Sequence, residues 1–308
     1  MNGKKLLITG GLGNLGSWLS IHFSSKFDVY ILSKSLSIQL DCPHTIIQAD
    51  ISNYEDLKSK LTINFDYCIH TASYNEFFKD NYAKDALMIN TLGTRNLLEI
   101  LKETNLKNFI YLSTYHVYGT QEGVIKESTA LCPKNDYAST HLFAEYYIKQ
   151  FFHGNKFPFV IFRLTNSYGA PKYGNNTKWY LILNDFVKQS IESNQIIINS
   201  NIYTERDFIW MGDVCSVIEK SLDFKADCNN IFNLSSGETF KIIDIAYKVQ
   251  HIYKKRFHRN LPIISKSTNN NIHNHLIVDN TKLTKKINYS FNNSFNKEIE
   301  SLFNLMEQ

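Results

Sequence analysis

Lys5-Leu6-Leu7-Ile8-Thr9-Gly10-Gly11-Leu12-Gly13-Asn14-Leu15-Gly16 decides the fold of this chain. Its opening apolar run has the composition of a strand buried on both faces of a parallel sheet. Glycines at 10, 13 and 16 follow, and Ser17 to Ser25 then reads as a helix. In such a turn one glycine permits the tight bend, one lets backbone amides approach a pyrophosphate, and one lets the helix pack against its strand. The helix amino terminus then faces the anion with its partial positive charge. A plain strand-to-helix turn can use the same glycines, so the downstream segments matter.

Working outward, Val29-Tyr30-Ile31-Leu32-Ser33-Lys34 reads as a second strand and Gln48-Ala49-Asp50 closes a third. Tyr67-Cys68-Ile69-His70-Thr71-Ala72-Ser73 reads as a fourth, and Tyr111-Leu112-Ser113-Thr114-Tyr115-His116-Val117-Tyr118-Gly119 as a further strand and loop. Helical patterns alternate with these strands, which implies an α/β fold with a doubly wound parallel sheet of Rossmann type. At 308 residues the chain can bury a large core, with length left for a smaller lobe.

The formal net charge is +4, and the lysines are scattered, which reads as solvated faces and some help in holding an anion; no nucleic-acid binding is expected. Lys4 and Lys5 precede an apolar run that Thr9-Gly10-Gly11 breaks, so neither a signal peptide nor a membrane span is expected there. Cysteines at 42, 68, 132, 215 and 228 show no paired or metal-ligand spacing, and their odd number suits reduced thiols in a cytoplasmic protein. Cys68 and Cys215 read as small core residues. Ser265 to His275 is an asparagine-rich patch expected to be a surface loop, and His273 and His275 in it lack further ligand types, so no metal is expected.

Tyr137-Ala138-Ser139-Thr140-His141, with Glu145 beyond it, resembles the Tyr-x-x-x-Lys signature of the extended short-chain dehydrogenase/reductase family, the NAD-dependent epimerases and dehydratases acting on nucleotide sugars. His141 stands where that signature has lysine. Counting back from Val117-Tyr118-Gly119 puts Thr114 in the role of the family's catalytic Ser/Thr. The resemblance implies that Gly10, Gly13, Asn14, Leu15 and Gly16 cradle the cofactor and that Thr71, Ala72 and Ser73 leave room beside it. Asp50, with Ile51, matches the residues that touch the adenine, and Asn90 in Asn90-Thr91-Leu92-Gly93-Thr94-Arg95-Asn96 matches an asparagine that steadies the active-site backbone. A turn or capping role suits Asp50 and Asn90 equally. Asn166 and Tyr115 fall at substrate-binding positions, and Arg206 in Arg206-Asp207-Phe208, followed by Asp213-Val214, matches the arginine that holds a nucleotide phosphate. An ion pair with Asp207 or Asp213 is the alternative for Arg206. Asp279-Asn280-Thr281-Lys282 matches the closing helix start, with Asp279 as a cap. A second phosphate-binding arginine is missing, and only His273 and His275 stand near its position.

The resemblance assigns 1–166 plus roughly 205–232 to an NAD-binding part and 167–204 and 233–308 to a smaller nucleotide-sugar lobe. It implies hydride transfer at a sugar alcohol, with Tyr137 as base, Thr114 steadying the oxygen and His141 in the lysine's place, either contacting ribose, moving protons or simply packed. Ser33 and Lys34 end the second strand where an acid normally meets the adenosine ribose of NAD; Lys34 leans electrostatically toward NADP, but NAD is the expected cofactor. Tyr115-His116 replace the Asp-Glu pair of dehydratases. A 4-dehydrogenase of a nucleotide-diphosphate sugar is therefore expected, GDP-heptose of capsular polysaccharide synthesis being one candidate, with a 4-epimerase and a non-catalytic nucleotide-binding scaffold as alternatives. Helices at about 84–105 and 138–153 would pair in a homodimer or homotetramer through Leu87, Leu98, Leu101, Phe143, Tyr147 and Phe151, unless these face their own sheet.

Overall fold

A computed structural model describes residues 3–36, 38–76, 81–173, 178–267 and 275–307. His273 and most of the expected loop around it lie outside these residues. Strand β1 (Lys5–Thr9) turns at Gly10, φ +67°, into α1 (Asn14–Phe23). The helix starts before the expected Ser17, because Gly16 lacks the Cβ that would strike the Gly10 carbonyl oxygen. There follow β2 (Asp28–Ser33), β3 (Thr45–Gln48), α2 (Tyr54–Lys60), β4 (Tyr67–His70), α3 (Tyr82–Ala86), α4 (Thr94–Leu101) and β5 (Asn108–Thr114). The middle of the chain forms β6 (Gly123–Ile125), α5 (Asp136–Asn155), β7 (Phe159–Leu164), β8 (Asn166–Tyr168), α6 (Ile182–Glu192), β9 (Ile196–Ile198), β10 (Glu205–Trp210) and α7 (Met211–Ser221). The last part adds β11 (Ile231–Leu234), β12 (Thr239–Lys241), α8 (Ile242–Phe257), β13 (Ile263–Ser265), β14 (Leu276–Val278), α9 (Thr281–Ile287) and α10 (Phe295–Met306).

Seven strands form one parallel sheet in the order β11-β7-β5-β4-β1-β2-β3. Side chains alternate across it as strand geometry requires. Leu6, Ile8, Val29 and Ile31 join one core with α1 and α7, while Leu7, Leu32, Cys68 and Phe109 join another with α4 and α5. Burying each such side chain contributes about 1.5–3 kcal/mol. This is the doubly wound sheet expected from the sequence. The strand order reverses between β1 and β4, and the strands' carboxyl ends leave a crevice there.

A three-stranded sheet, β12-β10-β8, lies under α6, α8 and α10 around Phe208, Ile245, Phe295 and Phe303. β10 pairs with β8 and β12 in this small sheet, while its Ile209 enters the main core. Asp279 accepts from the Thr281 amide at 2.8 Å and so caps α9 from one position before its N-cap, Asn280. Cys68 and Cys215 are buried, and no described helix is long and apolar enough to cross a membrane.

Candidate active site

The crevice opens into a cleft of about 700 Å³. Gly10, Gly13, Asn14, Leu15 and Gly16 line its inner end. A Cβ on Gly10 would lie 2.8 Å from the Ala72 Cα, and one on Gly13 would lie 3.0 Å from the Gly10 carbonyl oxygen. α1 begins with no side-chain cap and no acidic residue in its first turn. The positive end of its dipole therefore faces the glycine turn, and the cradle fits a dinucleotide pyrophosphate.

Thr71 and Ser73 line the neighbouring wall, whereas Ala72 packs against Gly10. Ser33, Lys34, Asp50, Ile51 and Asn90 stand off the cleft wall. The Ser33 hydroxyl donates to the Ser35 carbonyl at 2.7 Å, and Lys34 pairs with Asp50 at 2.7 Å. Asp50 also accepts from the Ser52 amide and hydroxyl at 3.0 and 2.6 Å, a local turn. Ile51 is buried beside Gly93.

Asn90 lies in a π-helical stretch, Leu87–Gly93, that joins α3 to α4. Its amide accepts from the Tyr74 N–H at 2.6 Å and donates to the Tyr74 carbonyl and the Thr140 hydroxyl at 3.1 and 3.0 Å. It thereby ties the loop after β4 to α5, and a π-turn at such a junction is a frequent mark of functional sites.

The Asn135 side chain caps α5, accepting from the Ala138 amide at 2.8 Å, which sets Tyr137 in the first turn and His141 one turn later. Their rings meet edge to face with centroids 4.5 Å apart. Thr114, at the end of β5, lines the cleft beside Tyr137 and accepts from the His116 amide at 3.2 Å. Burial pushes the Tyr137 phenol up to about 12, against the pull of the neighbouring Thr114 hydroxyl. Tyr82 and Tyr180 stand close enough to add to the upward push.

His141 is 2% exposed. Its Nδ1 lies 2.7 Å from the Tyr111 hydroxyl and its Nε2 lies 3.1 Å from the Ser73 Oγ. Burial, then the neighbouring His116, lowers it to about 3, so the imidazole is neutral at pH 7. His116 falls to about 4 through burial and the Arg206 charge.

Tyr115, Asn166 and Arg206 line the opposite side. Asn166 donates to the Asp207 carbonyl at 2.9 Å and lines the cleft beside Tyr115. The alternative ion pair for Arg206 is not formed. Asp207 accepts instead from Thr165 and the Ser236 and Gly237 amides, and Asp213 accepts from Tyr289 and Asn292. The Arg206 Nε is buried without a hydrogen-bond partner, a state that is costly unless a ligand supplies one. His275, near the place of the missing arginine, contacts Glu205 at 3.0 Å and does not line the cleft.

Sequence reading missed Lys178, Tyr82 and Tyr180, which also line the cleft. Lys178 donates to the Asn75 Oδ1 at 2.8 Å and to the Tyr180 hydroxyl at 3.0 Å. Neither Tyr82, on α3, nor the loop of Lys178 and Tyr180 carries a motif, and only a preference for cations near an anionic ligand pointed that way. Among the described residues, no carboxylate lines the cleft and no cluster of metal-ligating groups exists.

Residues 6–235 match the NAD dependent epimerase/dehydratase family. A dTDP-D-glucose 4,6-dehydratase from Dictyostelium discoideum is 28% identical over 279 residues, 81% of this chain and 62% of that protein, so the chain spans less than two thirds of that relative's length. A GDP-6-deoxy-D-talose 4-dehydrogenase from Aggregatibacter actinomycetemcomitans is 25% identical over 247 residues, 78% of this chain and 77% of the relative. A UDP-N-acetylglucosamine 4-epimerase from Methanobrevibacter ruminantium M1, solved in complex with UDP-N-acetylmuramic acid, superposes with a TM-score of 0.86 at 21% identity, over 100% of this chain and 99% of that one. At that identity the likeness establishes the fold. Given the glycine cradle and a family match that runs from β1 through β11, the chain belongs to the NAD dependent epimerase/dehydratase family, with NAD as its cofactor.

Proposed function

We propose that this chain oxidises the C4 alcohol of a nucleotide-diphosphate sugar to a ketone. The observation that carries this reading is Thr114 and Tyr137 side by side in a cleft where, among the described residues, no carboxylate lines the wall and Arg206 has no ion-pair partner. NAD, held by the glycine cradle, would supply the hydride acceptor and a positive charge. Tyr137 acts as the base once its phenol has released its own proton, its phenolate taking the sugar hydroxyl proton, and the Thr114 hydroxyl holds the reacting oxygen as its charge develops. Arg206 offers its fork to a phosphate, and Lys178 adds a second positive charge to the same cleft.

Elimination of water needs an acid and a base beside the sugar. Tyr115, which is buried, and His116, neutral at pH 7, offer no carboxylate pair for that step, which favours oxidation over dehydration. A scaffold would need neither the Thr114–Tyr137 pair nor the unpaired Arg206. GDP-heptose for surface-polysaccharide synthesis is the specific substrate we put forward, by analogy with 4-dehydrogenase relatives, in a cytoplasmic protein. A 4-epimerase would use the same groups and differs in returning the hydride to the other face.

Mass spectrometry of the small molecules bound to the purified protein, followed by a panel of nucleotide sugars with product NMR, tests this. A 4-keto product is expected, and Tyr137→Phe should abolish its formation while the folded variant still holds its cofactor. An alcohol inverted at C4 would move the assignment to the epimerase. Full activity in Tyr137→Phe would end the tyrosine mechanism, and no turnover on any sugar would restore the scaffold.

A further inference from the structure

We infer that the Tyr111 hydroxyl fixes His141 as the neutral tautomer with its proton on Nε2, so that α5 presents one uncharged N–H donor at the position where the family signature has a lysine. The inference rests on the proposed reading only for its catalytic meaning. Its structural basis is independent of any substrate.

Tyr111 lies on the fully buried strand β5 and is itself 2% exposed. Among the described residues, its hydroxyl has one hydrogen-bond partner, the His141 Nδ1 at 2.7 Å. A buried hydroxyl proton needs an acceptor, and a proton already on Nδ1 would leave it none. The neighbouring His70 stacks on the Tyr111 ring at 5.4 Å but offers no alternative, because its Nδ1 and Nε2 are taken by Thr9 and Thr94 at 2.6 and 2.8 Å. The Tyr111 proton therefore goes to Nδ1, and the imidazole proton sits on Nε2.

From there it points to the Ser73 Oγ, 3.1 Å away on the cleft wall. A second proton on the ring would place a cation among Tyr111, His70, His116 and Tyr137. The buried carboxylate one turn further along α5, Glu145, is already bonded to Arg163 and Ser113. Tyr111 is thus a positioning residue: it acts on the site through the orientation and tautomer of His141. The lysine's donor is kept and its charge is not.

The test is a long-range ¹H–¹⁵N correlation spectrum of the full chain labelled at histidine, with the His141 signals assigned by their loss in His141→Asn. At pH 7 the expected pattern is a bare Nδ1 and a protonated Nε2, unchanged down to pH 5. In Tyr111→Phe the His141 signals should move to a tautomer mixture, because Nδ1 has lost the hydroxyl that donates to it. A proton on Nδ1, or on both nitrogens, in the wild type at pH 7 would overturn the inference, and this holds whether or not the variant folds. If the wild type shows the expected tautomer yet turns over no nucleotide sugar, the reaction assignment fails while the tautomer stands.

Discussion

Lys34 and Asp50 are joined across the ends of β2 and β3 by a 2.7 Å ion pair. This partner blunts the only feature of the sequence that leaned toward NADP, because the lysine charge near the adenosine end is matched by a carboxylate. The pair is exposed on the lysine side, and such pairs contribute about 0–1 kcal/mol, so the effect is a bias. NAD should bind more tightly than NADP. Asp50→Asn, which frees the lysine charge, should narrow the gap by up to about fivefold. Fluorescence titration with both cofactors checks this, and equal affinities in the wild type would count against it.

Glu145 and Arg163 form an ion pair whose side chains are 0% and 3% exposed. Glu145 also accepts from the Ser113 hydroxyl at 2.6 Å, and Arg163 donates to the Tyr118 hydroxyl at 3.0 Å, which itself donates to Asn233 at 2.6 Å. Removing one member leaves an uncompensated buried charge, which costs about 3–5 kcal/mol. Glu145→Ala should therefore lower the urea midpoint sharply without altering which cofactor is preferred. A midpoint within error of the wild type would refute a structural role for the pair.

The linear features of this protein were legible from its sequence, and the spatial ones were not. The glycine turn, the Tyr137 signature and Thr114 sit in contiguous segments whose spacing dictates their geometry. Arg206 was found the same way, but its lack of a partner depends on where the Asp207 and Asp213 carboxylates turn, which only tertiary packing decides. The Tyr111–His141 bond spans 30 positions and the Lys178–Asn75 bond spans 103, so no local pattern announces either. Ser33 ends β2, and its hydroxyl is engaged with Ser35, a local bond that strand periodicity does not reveal.

Two buried histidines, His70 and His141, and the half-buried His116 set the acid stability. His70 and His141 are lowered to about 3 and His116 to about 4, chiefly by burial. Each binds fewer protons folded than unfolded between those values and the ordinary 6.5, so its contribution is complete above pH 6.5 and is lost as pH falls. Asp207 works the other way: burial raises it to about 7 against its donors, and its contribution grows as pH drops from 7 toward 4. Each group changes stability by at most about 1.4 kcal/mol per pH unit, and three oppose one. Melting temperature measured by calorimetry should fall between pH 6.5 and 4.5. A flat or rising curve there would contradict the assignment of neutral imidazoles.

Self-association is expected through one face of the helical layer. Leu87, Met88, Leu92, Phe143 and Tyr146 are exposed on the π-helical stretch and α5, which pack together. Leu98, Leu101 and Phe151, expected at the same interface, are instead buried against their own sheet. An apolar group of this kind on paired helices fits a second copy of the chain. Light scattering at micromolar concentration should give a dimer or tetramer, and Phe143→Glu should shift it to monomer. A monomeric wild type would remove this expectation.

Replacing the histidine with the family's residue isolates the role of charge. Burial holds the Tyr137 phenol near 12, and neutral His141 brings no positive charge to oppose it. His141→Lys would set a cation beside the ring that now lies 4.5 Å from the imidazole. A charge at about 4–6 Å shifts a group by roughly one to three units, and each unit is worth about 1.4 kcal/mol. The hydride-transfer step, followed by nicotinamide absorbance in single turnovers so that cofactor release cannot mask it, should keep its rate and reach its plateau one to three pH units lower. Tyr137→Phe in the same background should remain inactive, since the lysine helps only through the phenol. If the folded lysine variant keeps the wild-type pH profile, the phenol's ionisation does not limit the step, and the cost of losing the cation has been met elsewhere in the site.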